Sequence, residues 1–139
     1  MPACGRSTLA APVIEVRDLT AAYGRAQILF GMDFRAQAGE VLVLLGRNGA
    51  GKSTTLKCLM GLVPSRGGEV RLQGTRIDAL PVHRIARRGL GYVPEDRRIF
   101  TDLTVRENLQ VGRLPPRAGC APWTPERLFR LFPGLEAMQ

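Results

Sequence analysis

LGRNGAGKSTTLK, residues 45–57, is the stretch on which the fold of this chain turns. It follows the apolar run Val41-Leu42-Val43-Leu44-Leu45 and sets Gly46, Gly49 and Gly51 just ahead of a lysine, a serine and two threonines. A run of Val and Leu with no polar face is what a strand covered on both sides requires, so a buried strand is expected at 41–45. From Ser53 the period changes. Leu56, Leu59, Met60 and Val63 stand at i, i+3, i+4 and i+7, one face of a helix that Pro64 stops. The expected order is strand, glycine loop, helix.

Gly46-Arg47-Asn48-Gly49-Ala50-Gly51-Lys52-Ser53 satisfies G-x-x-x-x-G-K-[ST]. Turning consecutive N–H groups inward around phosphate oxygens demands backbone angles that side chains obstruct, and the helix that follows points its positive end at the same anion. Lys52 can then reach the β- and γ-phosphates as a point charge, and the Ser53 hydroxyl is placed for Mg²⁺. A glycine-rich hairpin turn would explain the glycines but neither the lysine nor the hydroxyl. The motif points to a bound nucleoside triphosphate.

The rest of the composition sets bounds. With 139 residues, 45% of them hydrophobic, the chain suits one globular domain or a large piece of one. No apolar run approaches a membrane span, and MPACGRSTLAAPV lacks the core of a secretory signal, so a cytoplasmic location is expected. Cys4, Cys58 and Cys120 lie far apart without paired histidine spacing, which supports neither a disulfide framework nor a zinc site. The net charge is +8, and all basic residues but Lys52 and Lys57 are arginine. They are scattered, densest at Arg84, Arg87, Arg88 and then Arg97, Arg98, with no interleaved aromatics to stack bases. This reads as a solvated arginine-rich surface rather than a nucleic-acid interface; an acidic partner surface or anionic headgroups would suit it equally.

Along the chain, residues 1–12 read as a loose, disordered tail and 13–19 and 27–34 as strands. Ser65-Arg66-Gly67-Gly68 reads as a turn into a strand at 69–72. A short helix is expected at 82–88, with Val82, Ile85 and Ala86 inward and three arginines outward, then a strand at 90–93 ended by Pro94. Thr104 and Glu107 have the spacing of a capping box, predicting a helix to about Val111. After a loop at 113–123, Thr124-Pro125 restarts a helix with Leu128, Leu131 and Phe132 as its apolar face.

Tyr23, then GRNGAGKSTTLKCLMGL, then SRGGEVRLQG, then GYVPEDRRIFTDLTVRENL together resemble the ATP-binding subunit of an ABC transporter, over about residues 13–135. P-E-x-R-R-x-F-x-x-L-T-V-x-E-N-L is most similar to the branched-chain amino acid importer subgroup. The resemblance implies an α/β P-loop NTPase fold. Residues 13–139 would be the N-terminal part of an ABC-type nucleotide-binding domain: an antiparallel β subdomain, the P-loop strand and helix, and the start of the helical subdomain. It implies ATP and Mg²⁺ as cofactors, with Tyr23 stacking on adenine and Gly46, Asn48, Gly49, Ala50, Gly51, Lys52, Ser53 and Thr54 around the phosphates. Ser53 and Glu95 would ligate the metal, Glu95 standing where most of the family has glutamine. Asp96 stands where the subgroup usually has glycine. A permease would dock near Arg97, Arg98 and Phe100, a second ATP-binding subunit would complete a homo- or heterodimer, and the assembly would lie on the inner face of the cell membrane.

The family's L-S-G-G-Q signature, its apolar strand ending in Asp-Glu and its switch histidine do not occur in these 139 residues. Gly67-Gly68 lacks the preceding Leu-Ser, and His83 precedes any switch position. The expectation is a front part of an ATPase, truncated, that binds ATP weakly without efficient hydrolysis, with Phe129, Leu131, Phe132 and Leu135 short of packing partners. Two other readings stay open: a non-catalytic nucleotide-binding or permease-docking module, and another P-loop enzyme such as a GTPase or small-molecule kinase.

Overall fold

The chain enters its fold through a hairpin. β1 (Ile14–Tyr23) and β2 (Ala26–Ala36) pair antiparallel around Gly24-Arg25. Gly24, at φ 56, takes the first central position of a two-residue turn, the place a type II′ hairpin reserves for glycine. β3 (Ser65–Leu72) pairs with the other edge of β1, and Gln73-Gly74, both at positive φ, lead into the short β4 (Thr75–Arg76). The sheet order is β2-β1-β3-β4, antiparallel throughout. This computed structural model describes residues 11–96, 98–113, 115, 119 and 121–137, in two compact units that meet in sequence between Tyr92 and Val93.

A bulge sets the register of the sheet. Val16 and Leu19 both face the core although they are three residues apart, which strict alternation forbids. Asp18, at φ 46, takes up the extra residue, and its N–H donates to Asp33 Oδ1 at 2.9 Å. The flanking strands answer with glycines. A Cβ on Gly31 would stand 2.7 Å from Asp18 Oδ1, and one on Gly68 would press on the Asp18 carbonyl and lie 2.5 Å from that of Arg17.

The core of the first unit packs Val16, Leu19 and Ala21 of β1, Leu29 of β2, and Val70 and Leu72 of β3 against one side of α1 (Lys52–Leu59). Cys58, Leu59, Met60 and Val63 complete that side, and Ile77 and Ile85 close it, Ile85 from α2 (Val82–Arg87). Burial pushes the Cys58 thiol up, away from reactivity.

The second unit holds α3 (Val105–Val111), α4 (Pro125–Leu131) and α5 (Pro133–Glu136). The capping box forms as expected: Thr104 Oγ1 accepts from the Glu107 N–H, and Glu107 Oε2 accepts from the Thr104 N–H at 2.8 Å. The Thr124 hydroxyl caps α4 by accepting from the Arg127 N–H.

Several expectations are corrected. Residues 41–45 and 90–93 form no strand, because a strand needs a ladder and no described residues pair with either segment. Val41 and Leu45 are 87% and 89% exposed instead of buried. Residues 65–68 are strand rather than turn, because β1 supplies partners as far as Ser65. On α1 the buried side runs through Thr54, Thr55, Cys58 and Leu59, leaving Leu56 exposed. Ala86 also faces solvent, as α2 turns Ile85 into the core and leaves Ala86 beside the exposed Arg87. On α4, Phe129 is the buried residue and Leu128 half-buried, while Leu131 and Phe132 are exposed. Of the tail, Ala11 and Pro12 carry no regular structure, and residues 1–10, with Cys4, lie outside the described residues, as does Cys120.

Candidate functional site

Gly46, Gly49 and Gly51 all take positive φ, of 157°, 85° and 91°, which is why this loop needs glycine at the last two. Gly51 is the N-cap of α1. Its missing side chain also makes room for the core, since a Cβ there would stand 2.7 Å from Leu29 Cδ2. The loop is thereby seated directly on β2. Leu29 pairs with Ala21, two residues before Tyr23, so the sheet ties the loop to the end of β1.

Lys52 folds back along the loop. Its ammonium donates to the Gly46 carbonyl at 2.7 Å and to the Arg47 carbonyl at 2.9 Å, and the Ala50 N–H closes a turn onto Arg47 O at 3.1 Å. The helix ladder starts with Thr55, whose N–H donates to Gly51 O at 2.8 Å. The amides of residues 52–54 stand ahead of that ladder, at the positive end of the helix. Thr55 is completely buried and pins this end, its hydroxyl donating to Gly51 O at 3.0 Å and reaching Met32 Sδ at 3.2 Å.

Asn48, Gly49, Ala50 and Ser53 are exposed around the loop and Thr54 is buried beneath it. Tyr23 ends β1 at the hairpin and is 49% exposed. Glu95 sits in an exposed turn after Pro94 and belongs to the second unit. Arg98 Nε donates to Asp96 Oδ2 at 2.7 Å, Phe100 is exposed, and Arg97 lies outside the described residues. No group of three or more His, Cys, Asp or Glu stands ready for a metal among the described residues. The loop nevertheless fits a triphosphate with Mg²⁺. Positive-φ glycines, a lysine already bonded to two loop carbonyls, helix-end amides and one exposed hydroxyl are the donors such a ligand uses, and Mg²⁺ draws most of its shell from phosphates and water.

The supports of this site were not singled out from sequence. Leu29 and Ile28 reveal themselves only as apolar residues of a strand, and Thr55 only as the second threonine of the motif's tail.

Residues 29–137 match a family model described as ABC transporter. The high-affinity branched-chain amino acid transport ATP-binding protein BraG of Pseudomonas aeruginosa is 37% identical over 114 residues, 82% of this chain and 49% of BraG. The lipopolysaccharide export system ATP-binding protein LptB of Escherichia coli K12 is 38% identical over 96 residues, 69% of this chain and 40% of LptB. A solved structure described as an ATP binding subunit of an ABC transporter superposes with a TM-score of 0.61 at 35% identity, over 71% of this chain and 40% of the other. The chain thus spans about half the length, or less, of the relatives it matches. The α/β arrangement of antiparallel sheet and glycine-loop helix is that of the N-terminal part of an ABC nucleotide-binding domain. On a match that runs through most of its length, the chain belongs to the ABC transporter family.

Proposed function

We propose that residues 13–139 form the nucleotide-gripping front of the ATP-binding subunit of an ABC importer. The observation that carries this reading is the loop seated by Gly51 on β2, with Lys52 laid over its carbonyls at the N-terminus of α1. Residues 46–54 hold the triphosphate, Lys52 exchanging the Gly46 and Arg47 carbonyls for β- and γ-phosphate oxygens. Ser53 offers Mg²⁺ its hydroxyl. Tyr23 stacks on adenine, a contact of about 1–3 kcal/mol. Bound Mg-ATP supplies the free energy of phosphoryl transfer, and these loop and strand-end residues bind and orient it.

In the whole protein this binding would be coupled to hydrolysis and solute uptake from the inner face of the membrane. Branched-chain amino acids are the solute favoured by the segment from Pro94 to Leu109 and by the likeness to BraG. LptB, named for lipopolysaccharide export, is no less identical, so the loop itself carries no solute preference. A permease docks near Arg97, Arg98 and Phe100, and a second ATP-binding subunit completes the dimer.

The test is displacement of a fluorescent ATP analogue from the purified chain with Mg²⁺, its folding checked by circular dichroism. Lys52→Ala is expected to weaken binding at least tenfold, about 1.4 kcal/mol, with ATP preferred to GTP. A folded chain that binds no Mg-ATP, or that Lys52→Ala leaves unchanged, overturns the reading. A preference for GTP turns it toward a different P-loop enzyme. Steady hydrolysis lost in Lys52→Ala overturns the expectation that this chain alone does not turn over.

A further inference from the structure

The outer face of α2 carries charge that the rest of the unit does not answer. Arg84, Arg87 and Arg88 stand at i, i+3 and i+4, the spacing that puts three side chains on one side of a helix, within about 6 Å along its axis. All three are exposed, and none makes an ion pair or side-chain hydrogen bond among the described residues. Elsewhere in the same unit three arginines are paired, while Arg25 and Arg35 stand singly and exposed with no ion pair among the described residues. Arg17 is paired with Glu15, Arg71 with Glu69 and Arg76 with Asp78. The first turn of α2 holds no acid, and His83 adds a further exposed imidazole beside the stripe. Like charges at these spacings repel, so the helix keeps this face at a cost to itself. The stripe is also held rigidly. Ile85 is fully buried, and a Cβ on Gly61 would stand only 3.1 Å from Ile85 Cδ1, so α2 is packed tightly on the core.

We propose that this face of α2 docks an acidic segment of a partner protein, one that presents carboxylates at matching helical spacing. Three guanidinium groups fixed on a rigid helix suit paired, bidentate contacts with carboxylates, which lysines would not make in the same way. α2 exposes no large apolar side chain that could enter a bilayer, Ala86 being the one exposed apolar residue on it. It carries no Phe, Tyr or Trp on which a nucleic-acid base could stack, His83 being its one ring. A carboxylate-bearing protein face therefore fits it better than a lipid surface or a nucleic acid. The stripe is separate from the glycine loop, and its test does not depend on nucleotide binding.

The experiment uses a synthetic helical peptide with glutamates at i, i+3 and i+4, titrated against the full chain at two salt concentrations. The triple variant Arg84→Gln, Arg87→Gln, Arg88→Gln is compared with Arg25→Gln, Arg35→Gln, Arg113→Gln, which removes the same net charge from exposed arginines elsewhere. The α2 variant is expected to lose at least tenfold in peptide affinity, the control less than twofold, and both should bind Mg-ATP as the parent does. The α2 variant should also gain in thermal midpoint as the repulsion is relieved, a readout independent of the peptide. Equal losses in the two variants would mean that net charge alone is sensed, and would overturn the proposal. So would α2-dependent binding to phosphatidylserine vesicles or single-stranded RNA in place of the peptide.

Discussion

Gly49 and Gly51 share one loop and one kind of backbone, yet alanine should not cost the same at both. Their φ angles are 85° and 91°. Forcing an L side chain into that region costs about 1–2 kcal/mol at either position. At Gly49 nothing lies within 4 Å of the added carbon, and the cost ends there. At Gly51 the carbon would stand 2.7 Å from Leu29 Cδ2, and Leu29 is 2% exposed with the core closed around it. Leu29 must retreat by about 0.7 Å or more into packed neighbours, an overpacking cost of about 1–3 kcal/mol. Gly51→Ala should therefore lose about 2–5 kcal/mol, against a total stability for a domain of about 5–15 kcal/mol. Gly49→Ala should lose about 1–2 kcal/mol. Urea denaturation followed by far-UV circular dichroism reads the difference directly. Equal shifts in midpoint would refute the inference that the loop is seated on β2 through Gly51. Both variants should weaken ATP-analogue binding, because both disturb the inward turn of the loop amides.

The sheet offers a parallel comparison. Gly68→Ala places a carbon against the backbone carbonyls of Arg17 and Asp18, which cannot swing aside as a side chain can, while Gly74→Ala at φ 76 meets nothing within 4 Å. Gly68→Ala should cost about 3 kcal/mol or more and Gly74→Ala about 1 kcal/mol, and similar thermal midpoints for the two would count against the bulge as described. Val41→Asp and Leu45→Asp should each change stability by about 0.5 kcal/mol or less, because both side chains are exposed, and a loss of several kcal/mol in urea melts would restore the buried strand expected from sequence. Burial alone pushes the Asp78 carboxyl up, but the Arg76 hydrogen bond, the Val70 N–H and the Arg76 charge together hold it below its ordinary value. That contribution is fully present above the unfolded carboxylate pKa of about 3.9 and is lost as pH falls through the lower folded value, so Asp78→Asn should flatten the acid limb of stability below about pH 4. An unchanged acid limb would show that Asp78 does not supply it.

What the chain announced in its own letters is local. The G-x-x-x-x-G-K-S spacing specifies the loop, since the need for glycine at φ 85° and 91° is a property of the backbone that no distant residue alters. The capping box at Thr104 and Glu107 and the Thr124-Pro125 helix start are legible for the same reason, each joining groups three residues apart. Tertiary structure decided everything that needs a partner far along the chain. Val41 to Leu45 carry the apolar run of a covered strand, but hydrophobicity only makes burial favourable, and a ladder needs neighbours that the described residues do not provide. Residues 65–68 went the other way: Gly67-Gly68 read as a turn, and β1 drew them into the sheet because the bulge at Asp18 needs a glycine opposite it. The faces of α1 and α4 were rotated from the pattern for a related reason, as Thr55 and Phe129 took the buried places that packing offered. Backbone angles and caps are settled within a few residues of sequence, whereas burial and pairing are settled by which surfaces meet.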